Sequence, residues 1–274
     1  MTVLEALILG LVQGVTEFLP VSSSAHLVIV PQLFNIPEPG VAFDVLLHVA
    51  TLVAVVGYFI GDVWKIVVAL FMPKRMSKED VRYWRRLFLW LVIGSIPAAV
   101  VGAALNDFFE GLFSSTAAVG IFLIVTSVLL VSSDLAVVWT KRRRRRRAKL
   151  GDMGWFDALV VGCYQALAIA PGLSRSGSTI SAGIFLGFDR ETAARFAFLL
   201  SIPAILGAFL FKLPDLGGSA GPGGVALLVG FLAAAVSGFF AVRFMMRYLK
   251  RHRLWGFAVY TLLVGVFVIV LSLA

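Results

Sequence analysis

The amino-acid sequence predicts an all-α polytopic membrane protein with six transmembrane helices and two re-entrant helical hairpins in an inverted-topology repeat. Its composition, the spacing of its long apolar segments and a duplicated polar motif predict this fold. Of the 274 residues, 60% are hydrophobic and 14% are charged, and the mean hydropathy is +0.96. Soluble domains have about 25% charged and about 45–50% apolar residues, so the composition excludes an ordinary soluble enzyme, a disordered chain and a disulfide-rich scaffold.

Six apolar segments are long enough to cross a bilayer, whose hydrocarbon core is spanned by about 20 helical residues. These segments are residues 43–62, 86–105, 116–139, 191–211, 223–245 and 255–273. Basic loops alternate along the chain with loops that are nearly uncharged or acidic. The basic loops are 63–85, 140–150 and 246–254. Because basic loops stay on the cytoplasmic side, these three loops face inside and both termini face outside.

The positive charge of the chain is explained by the membrane. The net charge is +9, from 24 Lys and Arg against 15 Asp and Glu, and in a soluble protein such an excess suggests nucleic acid. Here the basic residues cluster between apolar segments, without aromatic interleaving or an RNA-binding signature. We therefore expect the basic run 141–147 to contact anionic lipid headgroups, and we expect no nucleic-acid partner. Cys163, the single cysteine, excludes an internal disulfide and is expected to be buried.

Two further segments, residues 1–42 and 152–188, are predicted to be re-entrant hairpins. Each contains an apolar helix, a polar tip that begins at Pro20 or Pro171, and a shorter apolar run. The proline cannot continue the first helix, and the serines that follow are good N-caps for the second. Broken backbone at membrane depth is tolerated only inside protein or beside a water-filled cavity. The two tips are therefore expected to face each other in the interior.

The two hairpins are related in sequence, which predicts an internal repeat. The first hairpin contains the motif Gly10-x-x-Gln13, followed by a proline and a serine-rich tip. The second contains Gly162-x-x-Gln165, followed by a proline and Ser-Arg-Ser. Three spans follow each hairpin, and because that number is odd, the second copy is inserted upside down. We expect one membrane domain, residues 1–274, in which inverted repeats 1–139 and 152–274 are joined by the basic cytoplasmic loop 140–151. Functional groups of such repeats meet near the midplane.

Glu17 is the acidic residue that lies inside an apolar run rather than in a loop or at a span end. A charge at membrane depth costs a few kcal/mol and indicates function by default. Gln13 lies four residues earlier and therefore on the same helix face. Glu17 is either an acid, base or cation ligand, or a hydrogen-bonded structural group near the interface.

Arg175 lies between Ser174 and Ser176 at the start of the second half-helix of its hairpin. A guanidinium, two hydroxyls and the N–H groups of a helix N-terminus together form an anion pocket. Gly177 lets the backbone approach a phosphate closely. The alternative role is a salt bridge to Glu17 that joins the hairpins, and the two roles are compatible.

His26 follows Ser22, Ser23 and Ser24 at the corresponding position of the first hairpin. A lone histidine is usually structural, but this one shares a polar tip with three hydroxyls and one carboxylate, which favours general acid–base work. His48 is expected to form a hydrogen bond between helices.

Two sequence signatures resemble those of a known family. The stretch from residue 13 to 26, Gln-x-x-x-Glu-Phe-Leu-Pro-Val-Ser-Ser-Ser-Ala-His, resembles the first signature of the bacterial undecaprenyl-diphosphate phosphatases, the bacitracin-resistance membrane phosphatases. Pro-Gly-Leu-Ser-Arg-Ser-Gly at 171–177 resembles the second. The resemblance runs from about residue 3 to the C-terminus. Position 13 is Glu or Gln in this family, and Gln13 here leaves one carboxylate at the site rather than two.

The resemblance implies hydrolysis of undecaprenyl diphosphate to undecaprenyl phosphate and inorganic phosphate, which recycles the carrier lipid for peptidoglycan synthesis and confers bacitracin resistance. It also implies dependence on Mg²⁺ or Ca²⁺, a homodimer, and a place in the bacterial cytoplasmic (inner) membrane. A prenyl-phosphate lipid flippase or transporter is the alternative, because inverted repeats with broken helices are common among transporters.

The expected roles combine the resemblance with the chemistry of phosphoryl transfer, where positioning and charge stabilisation dominate. Ser23 is the expected nucleophile with His26 as its proton-transfer partner, while attack by water with Ser23 as a phosphate ligand remains open. Glu17, with Gln13, is expected to bind the cation or to activate the attacking group. The expected phosphate ligands are Arg175, Ser22, Ser24, Ser174, Ser176 and Gly177. The first hairpin enters from outside, so the active site is expected to open to the outer side.

Overall fold

The computed structural model describes residues 1–37, 40–141, 147–214 and 223–273, with the side chains of 138–141 left out. Most of the basic run 141–147, and residues 215–222 of the loop after the fourth predicted span, lie outside the described residues. Helices α1 to α12 cover, in chain order, Val3–Phe18, Ser23–Phe34, Val41–Tyr58, Ile60–Phe71, Lys78–Ala104, Asn106–Phe113, Thr116–Lys141, Trp155–Leu167, Arg175–Phe185, Arg190–Lys212, Gly224–Tyr248 and Trp255–Leu273. Short 3₁₀ helices occupy Pro73–Arg75 and Leu150–Asp152.

The all-α fold with six membrane-spanning helices is confirmed. Helices α3, α5, α7, α10, α11 and α12 are each long and apolar enough to cross a membrane. Among the described residues there is no β-strand, and the only strand-like pairing is an isolated bridge between Arg147 and Phe188. The re-entrant course of the two short pairs, α1–α2 and α8–α9, stays a prediction.

The predicted basic loop 63–85 is largely helical, which the sequence analysis did not anticipate. It contains most of α4 and the first residues of α5, and α5 begins where the Ser77 hydroxyl accepts the Asp80 N–H at 3.1 Å. Hydropathy marks only the apolar part of a helix, whereas Arg, Lys and Glu are themselves good helix formers. A helix can therefore continue past the membrane surface, and the span predicted at 86–105 begins eight residues earlier.

The breaks inside both hairpins follow the predicted local chemistry. Helix α1 ends at Phe18, two residues before Pro20, and Ser22 caps α2 by accepting the Ala25 N–H at 3.4 Å. In the second hairpin Ser174 caps α9 by accepting the Gly177 N–H at 3.1 Å. Each cap satisfies one N–H group that the first turn of a helix leaves without a partner.

The two halves of the chain pack on each other reciprocally. Helix α1 packs against α11, and α8 packs against α5. A β-carbon added at Gly10 would overlap the carbonyl oxygen of Gly230, and one added at Gly162 would overlap that of Gly94. Gly10 and Gly162 occupy the same position of the repeated Gly-x-x-Gln motif. This reciprocal packing is what an internal repeat produces, and the inverted orientation of its copies stays a prediction.

Three apolar clusters hold these helices together. The largest joins residues of α3, α5, α8, α9, α10 and α11, among other elements. A second lies between α1, α3 and α11, and a third between α2, α7 and α12. Cys163, expected to be buried, is exposed on α8. That expectation was wrong because an apolar run in a membrane protein has a lipid-facing side as well as a packed one.

Candidate active site

The tips of the two hairpins contact each other, as the sequence predicts. Arg175 at the start of α9 forms an ion pair with Glu17 at the end of α1. The Ser176 hydroxyl donates to the Leu19 carbonyl at 3.0 Å. The Gly172 N–H donates to the Ser24 hydroxyl at 3.4 Å. Side chains from both halves of the chain therefore share one polar site.

Glu17 lies at the centre of this polar site and exposes only 5% of its side chain. Its Oε1 accepts from Nη2 of Arg175. Its Oε2 accepts from the Ser23 hydroxyl at 2.5 Å and from Nε2 of Gln13 at 3.0 Å. Gln13 reaches the carboxylate because it lies one helical turn earlier on the same face. The arrangement aims the hydroxyl proton of Ser23 at a carboxylate that also contacts a guanidinium.

A sharp backbone turn places Ser23 beside Glu17. Ser22 has a φ of +68°, in the left-handed region that residues other than glycine rarely adopt. Such backbone outliers cluster at functional sites, where the surrounding structure holds them in place. Ser22 also contacts Ser24, with 3.1 Å between the hydroxyl oxygens. The turn reverses the chain after α1 and brings the first residue of α2 back against the last turn of α1.

The loop before α9 is held by a threonine from α7. The buried Thr126 hydroxyl donates to the Gly172 carbonyl at 3.1 Å and accepts the Ser174 N–H at 3.0 Å. Gly172 has a φ of +94°, and a β-carbon there would overlap the Val119 carbonyl oxygen, so glycine is required. The sequence analysis missed Thr126, because a threonine within an apolar helix gives no signal of a distant partner.

The two serines that flank Arg175 face each other. The hydroxyl oxygens of Ser174 and Ser176 are 3.2 Å apart, and Arg175 exposes 20% of its side chain. The predicted anion-binding groups are thus assembled at the N-terminus of α9. The predicted salt bridge between Arg175 and Glu17 is also present, so both roles considered for Arg175 have a structural basis.

His26 is brought to the site but not to Ser23. Its Nδ1 is 2.7 Å from the Ser22 carbonyl oxygen, and its Nε2 is 2.7 Å from the Tyr260 hydroxyl oxygen. The two rings lie parallel, with an interplanar angle of 6°. A neutral imidazole satisfies both contacts by donating from Nδ1 and accepting at Nε2. Within the described residues His26 forms no hydrogen bond with Ser23, so the expected proton-transfer pair is not assembled.

His48 is a site residue that the sequence analysis did not identify. Its Nε2 lies 3.9 Å from Oε2 of Glu17, the oxygen that also accepts from Ser23. Its Nδ1 is 2.8 Å from the Asp44 carbonyl oxygen in the same helix. Its hydrogen bond is thus within α3, not between helices as expected. The imidazole is 38% exposed and provides a second titratable group beside the carboxylate.

The oxygen atoms around Glu17 suit a hard divalent cation. Oε1 of Gln13 is buried without a hydrogen-bond partner and lies on the residue that contacts the carboxylate. The described residues contain no group of three or more His, Cys, Asp or Glu side chains that could hold a metal ion. Mg²⁺ commonly binds through one or two carboxylates together with substrate phosphates and water. The donor set therefore fits a cation shared with a phosphate and not one enclosed by protein.

Comparison with known proteins gives matches over nearly the whole chain. The family model described as bacitracin resistance protein BacA matches residues 6–267. An undecaprenyl-diphosphatase of Moorella thermoacetica is 43% identical over 270 residues, which cover 98% of this chain and 97% of that protein. An undecaprenyl-diphosphatase of Thermomicrobium roseum is 44% identical over 279 residues and covers both chains completely. One of Alkaliphilus metalliredigens is 40% identical over 283 residues, again with complete coverage.

Proposed function

Because the chain belongs to the bacitracin resistance protein BacA family, we propose that it is an undecaprenyl-diphosphatase. It removes the terminal phosphate of undecaprenyl diphosphate and yields undecaprenyl phosphate and inorganic phosphate. The observation that carries this proposal is the contact of the buried Glu17 carboxylate, at the end of α1, with the Ser23 hydroxyl and with Arg175, which are the first residues of α2 and α9. The comparisons give no support to the alternative of a lipid flippase or transporter.

The product connects this activity to the cell wall. Undecaprenyl phosphate is the carrier lipid that peptidoglycan synthesis reuses, so the reaction recycles the carrier. An enzyme that lowers the amount of undecaprenyl diphosphate also confers resistance to bacitracin, in keeping with the description of the family.

In the proposed reaction Oγ of Ser23 attacks the terminal phosphorus, and Glu17 accepts the hydroxyl proton through the 2.5 Å contact. The bond between that phosphorus and the bridging oxygen breaks, and undecaprenyl phosphate leaves with the electron pair. Water then hydrolyses the phosphoserine and releases inorganic phosphate. Direct attack by water is the alternative, with Glu17 accepting the proton of water and Ser23 binding the phosphate. The short contact between Ser23 and Glu17 favours Ser23 over water as the nucleophile.

Arg175 is the proposed ligand of the diphosphate. A guanidinium has five N–H donors in a planar fork, and the contact with Glu17 uses Nη2. The other donors, together with Ser174, Ser176 and the N-terminus of α9, then stabilise charge on the phosphoryl oxygens. Ser22, Ser24 and Gly177 are proposed as further phosphate ligands.

Glu17 and Gln13 would hold the divalent cation, Mg²⁺ or Ca²⁺. When bound, such a cation supplies positive charge that neutralises the phosphoryl oxygens in the transition state. The buried, unpartnered Oε1 of Gln13 supports this assignment.

His26 is proposed as a positioning residue rather than as the partner of Ser23. Its contacts with the Ser22 carbonyl and with Tyr260 support the turn that presents Ser23. The residue beside the reacting carboxylate is His48, which is close enough to Glu17 to exchange a proton with it through one water.

The proposed location is the bacterial cytoplasmic (inner) membrane. Because basic loops stay on the cytoplasmic side, the proposed topology has the three basic loops inside and both termini outside. The first hairpin then enters from outside and carries Glu17 and Ser23, so the active site is proposed to open to the outer side. The homodimer implied by the family stays a prediction.

Release of inorganic phosphate from undecaprenyl diphosphate in detergent tests the proposal directly. Wild-type protein is expected to release phosphate, and Ser23→Ala is expected to lose more than about a thousandfold in turnover, as loss of a nucleophile does. Ser132→Ala is the control, because the Ser132 hydroxyl donates only within its own helix. No phosphate release by the wild-type protein would reject the phosphatase, and a loss of only about tenfold in Ser23→Ala would favour attack by water.

A further inference from the structure

A cavity of about 290 Å³ lies away from the hairpin tips, between the first turns of α5 and the 3₁₀ helix Leu150–Asp152. Arg82, Arg86 and Trp90 line one side of the cavity, and Leu150 lies opposite them. The two arginines are four residues apart and therefore point from the same face of α5. The cavity belongs to the end of the molecule where the basic loop residues cluster.

The two arginines of this cavity have no hydrogen-bonding or ionic partner in the part of the chain that the structure describes. Arg85, which lies between them, donates to the Ala69 carbonyl at 2.8 Å. At the same end of the molecule other arginines form ion pairs with carboxylates, namely Arg147 with Asp157, Arg190 with Asp134 and Arg195 with Asp62. Within the described part of the chain neither Arg82 nor Arg86 forms a hydrogen bond or an ion pair. Two neighbouring guanidiniums in a cavity thus remain free to bind an anion.

The rest of the cavity is suited to the interfacial region of a lipid. The guanidinium of Arg86 lies over the Trp90 ring, 6.0 Å from its centroid, and tryptophan is enriched where headgroups meet acyl chains. Beyond Trp90, α5 presents exposed apolar side chains such as Ile96 and Val100. An anion bound at the arginines could therefore be continuous with an acyl chain along α5.

We propose that this cavity binds the headgroup of an anionic phospholipid. The phosphodiester accepts hydrogen bonds from Arg82 and Arg86, and the glycerol backbone packs on Trp90. Basic pockets between transmembrane helices bind anionic headgroups by this chemistry. Glu79 also lines the cavity and can accept from headgroup hydroxyls, which favours a phosphatidylglycerol-type headgroup. This site shares no residue with the proposed active site and does not depend on the proposed function.

Thermal unfolding in detergent with added lipid tests the site. Phosphatidylglycerol is expected to raise the midpoint of unfolding by about 2 °C or more relative to phosphatidylcholine, since a ligand of the folded state stabilises it. The double variant Arg82→Gln/Arg86→Gln is expected to lose this difference. Lys74→Gln/Arg75→Gln is the matched control, because it also removes two positive charges, from exposed residues outside the cavity, and it is expected to keep the difference.

Three results would overturn the proposal. An equal effect of the two lipids on the wild-type protein would show no anion selectivity. An equal loss in Lys74→Gln/Arg75→Gln would show diffuse charge attraction instead of a site, and an equal stabilisation by glycerol phosphate would show a site for a bare phosphate. If the double variant does not fold, Arg82→Gln alone replaces it. Arg82 forms no hydrogen bond or ion pair within the described residues, so this variant is expected to fold and still to lose at least half of the difference.

Discussion

Replacing Arg175 by lysine separates the charge of this residue from its geometry. Removing the side chain altogether would leave the Glu17 carboxylate buried without its ion-pair partner. Breaking a buried ion pair in this way lowers the stability of a protein by about 3–5 kcal/mol. Such a variant would confuse unfolding with loss of catalysis. Lysine keeps the positive charge beside Glu17 and loses the planar fork that contacts a carboxylate and a phosphate together.

The expected loss follows from the number of contacts. In Arg175→Lys one charge-assisted hydrogen bond to the phosphoryl group is lost, which is worth about 1.5–3 kcal/mol. Since about 1.4 kcal/mol corresponds to a factor of ten, kcat/KM is expected to fall by roughly 10- to 150-fold. The melting temperature is expected to stay close to that of the wild-type protein, because the ion pair with Glu17 is kept.

The assay is phosphate release measured over a range of undecaprenyl diphosphate concentrations, with a thermal melt of each variant. Arg195→Lys is the matched control: Arg195 also forms a forked contact, with Nη2 at 2.7 and 2.8 Å from the two Asp62 oxygens. That variant is expected to retain activity. Near wild-type turnover in Arg175→Lys would refute the proposal that the planar guanidinium binds the carboxylate and the phosphate together. An equal loss in both variants would show that the effect is not specific to the site.

Three other predictions follow from the structure. Glu17→Gln is expected to abolish phosphate release while the protein still extracts normally, because a neutral amide at this depth does not hinder insertion; full activity would make Glu17 a structural residue. Gly162→Ala is expected to cost about 1–3 kcal/mol of stability by overpacking, whereas Gly57→Ala, with nothing within 4 Å of the added carbon, is expected to keep or raise the melting temperature because alanine is the better helix former; a Gly162→Ala melt as high as that of Gly57→Ala would contradict the close packing. A cysteine at position 24 in a Cys163→Ser background is expected to react with an impermeant thiol reagent added from outside; labelling only from the cytoplasmic side would reject the outward opening.

The helix breaks at the hairpins could be predicted because local chemistry determines them. A proline after an apolar run and a serine before the next run mark the end of α1 and the starts of α2 and α9, and these starts agree with the structure. The ends of the outer helices could not be predicted in the same way. The beginning of α5 carries charged residues that hydropathy assigns to a loop, although helix propensity keeps them helical. Helix α4 is apolar but has only 12 residues, which is too short to be predicted as a span.

In the polar site too, contacts that depend on local sequence could be predicted and contacts between distant residues could not. Gln13 and Glu17 were predicted to act together because helix periodicity puts them on one face, and the contact of Glu17 with Arg175 followed from the expected meeting of two polar tips. The contact of His26 with Tyr260 was not predicted, because it joins residues 234 positions apart. His48 was missed for the same reason: nothing near it in the sequence indicates that α3 passes beside Glu17.

The division of the polar site between the two hairpins sets the order in which the molecule becomes active during biosynthesis. A nascent chain synthesised through α7 already contains Glu17, Gln13 and Ser23. It lacks Arg175, whose guanidinium forms the ion pair with the buried Glu17 carboxylate. Arg175 lies 158 positions after Glu17 and is therefore synthesised much later. If Arg175 is the diphosphate ligand as proposed, the nascent first half is expected not to bind a diphosphate, and hydrolysis is expected only once the second hairpin has joined the first.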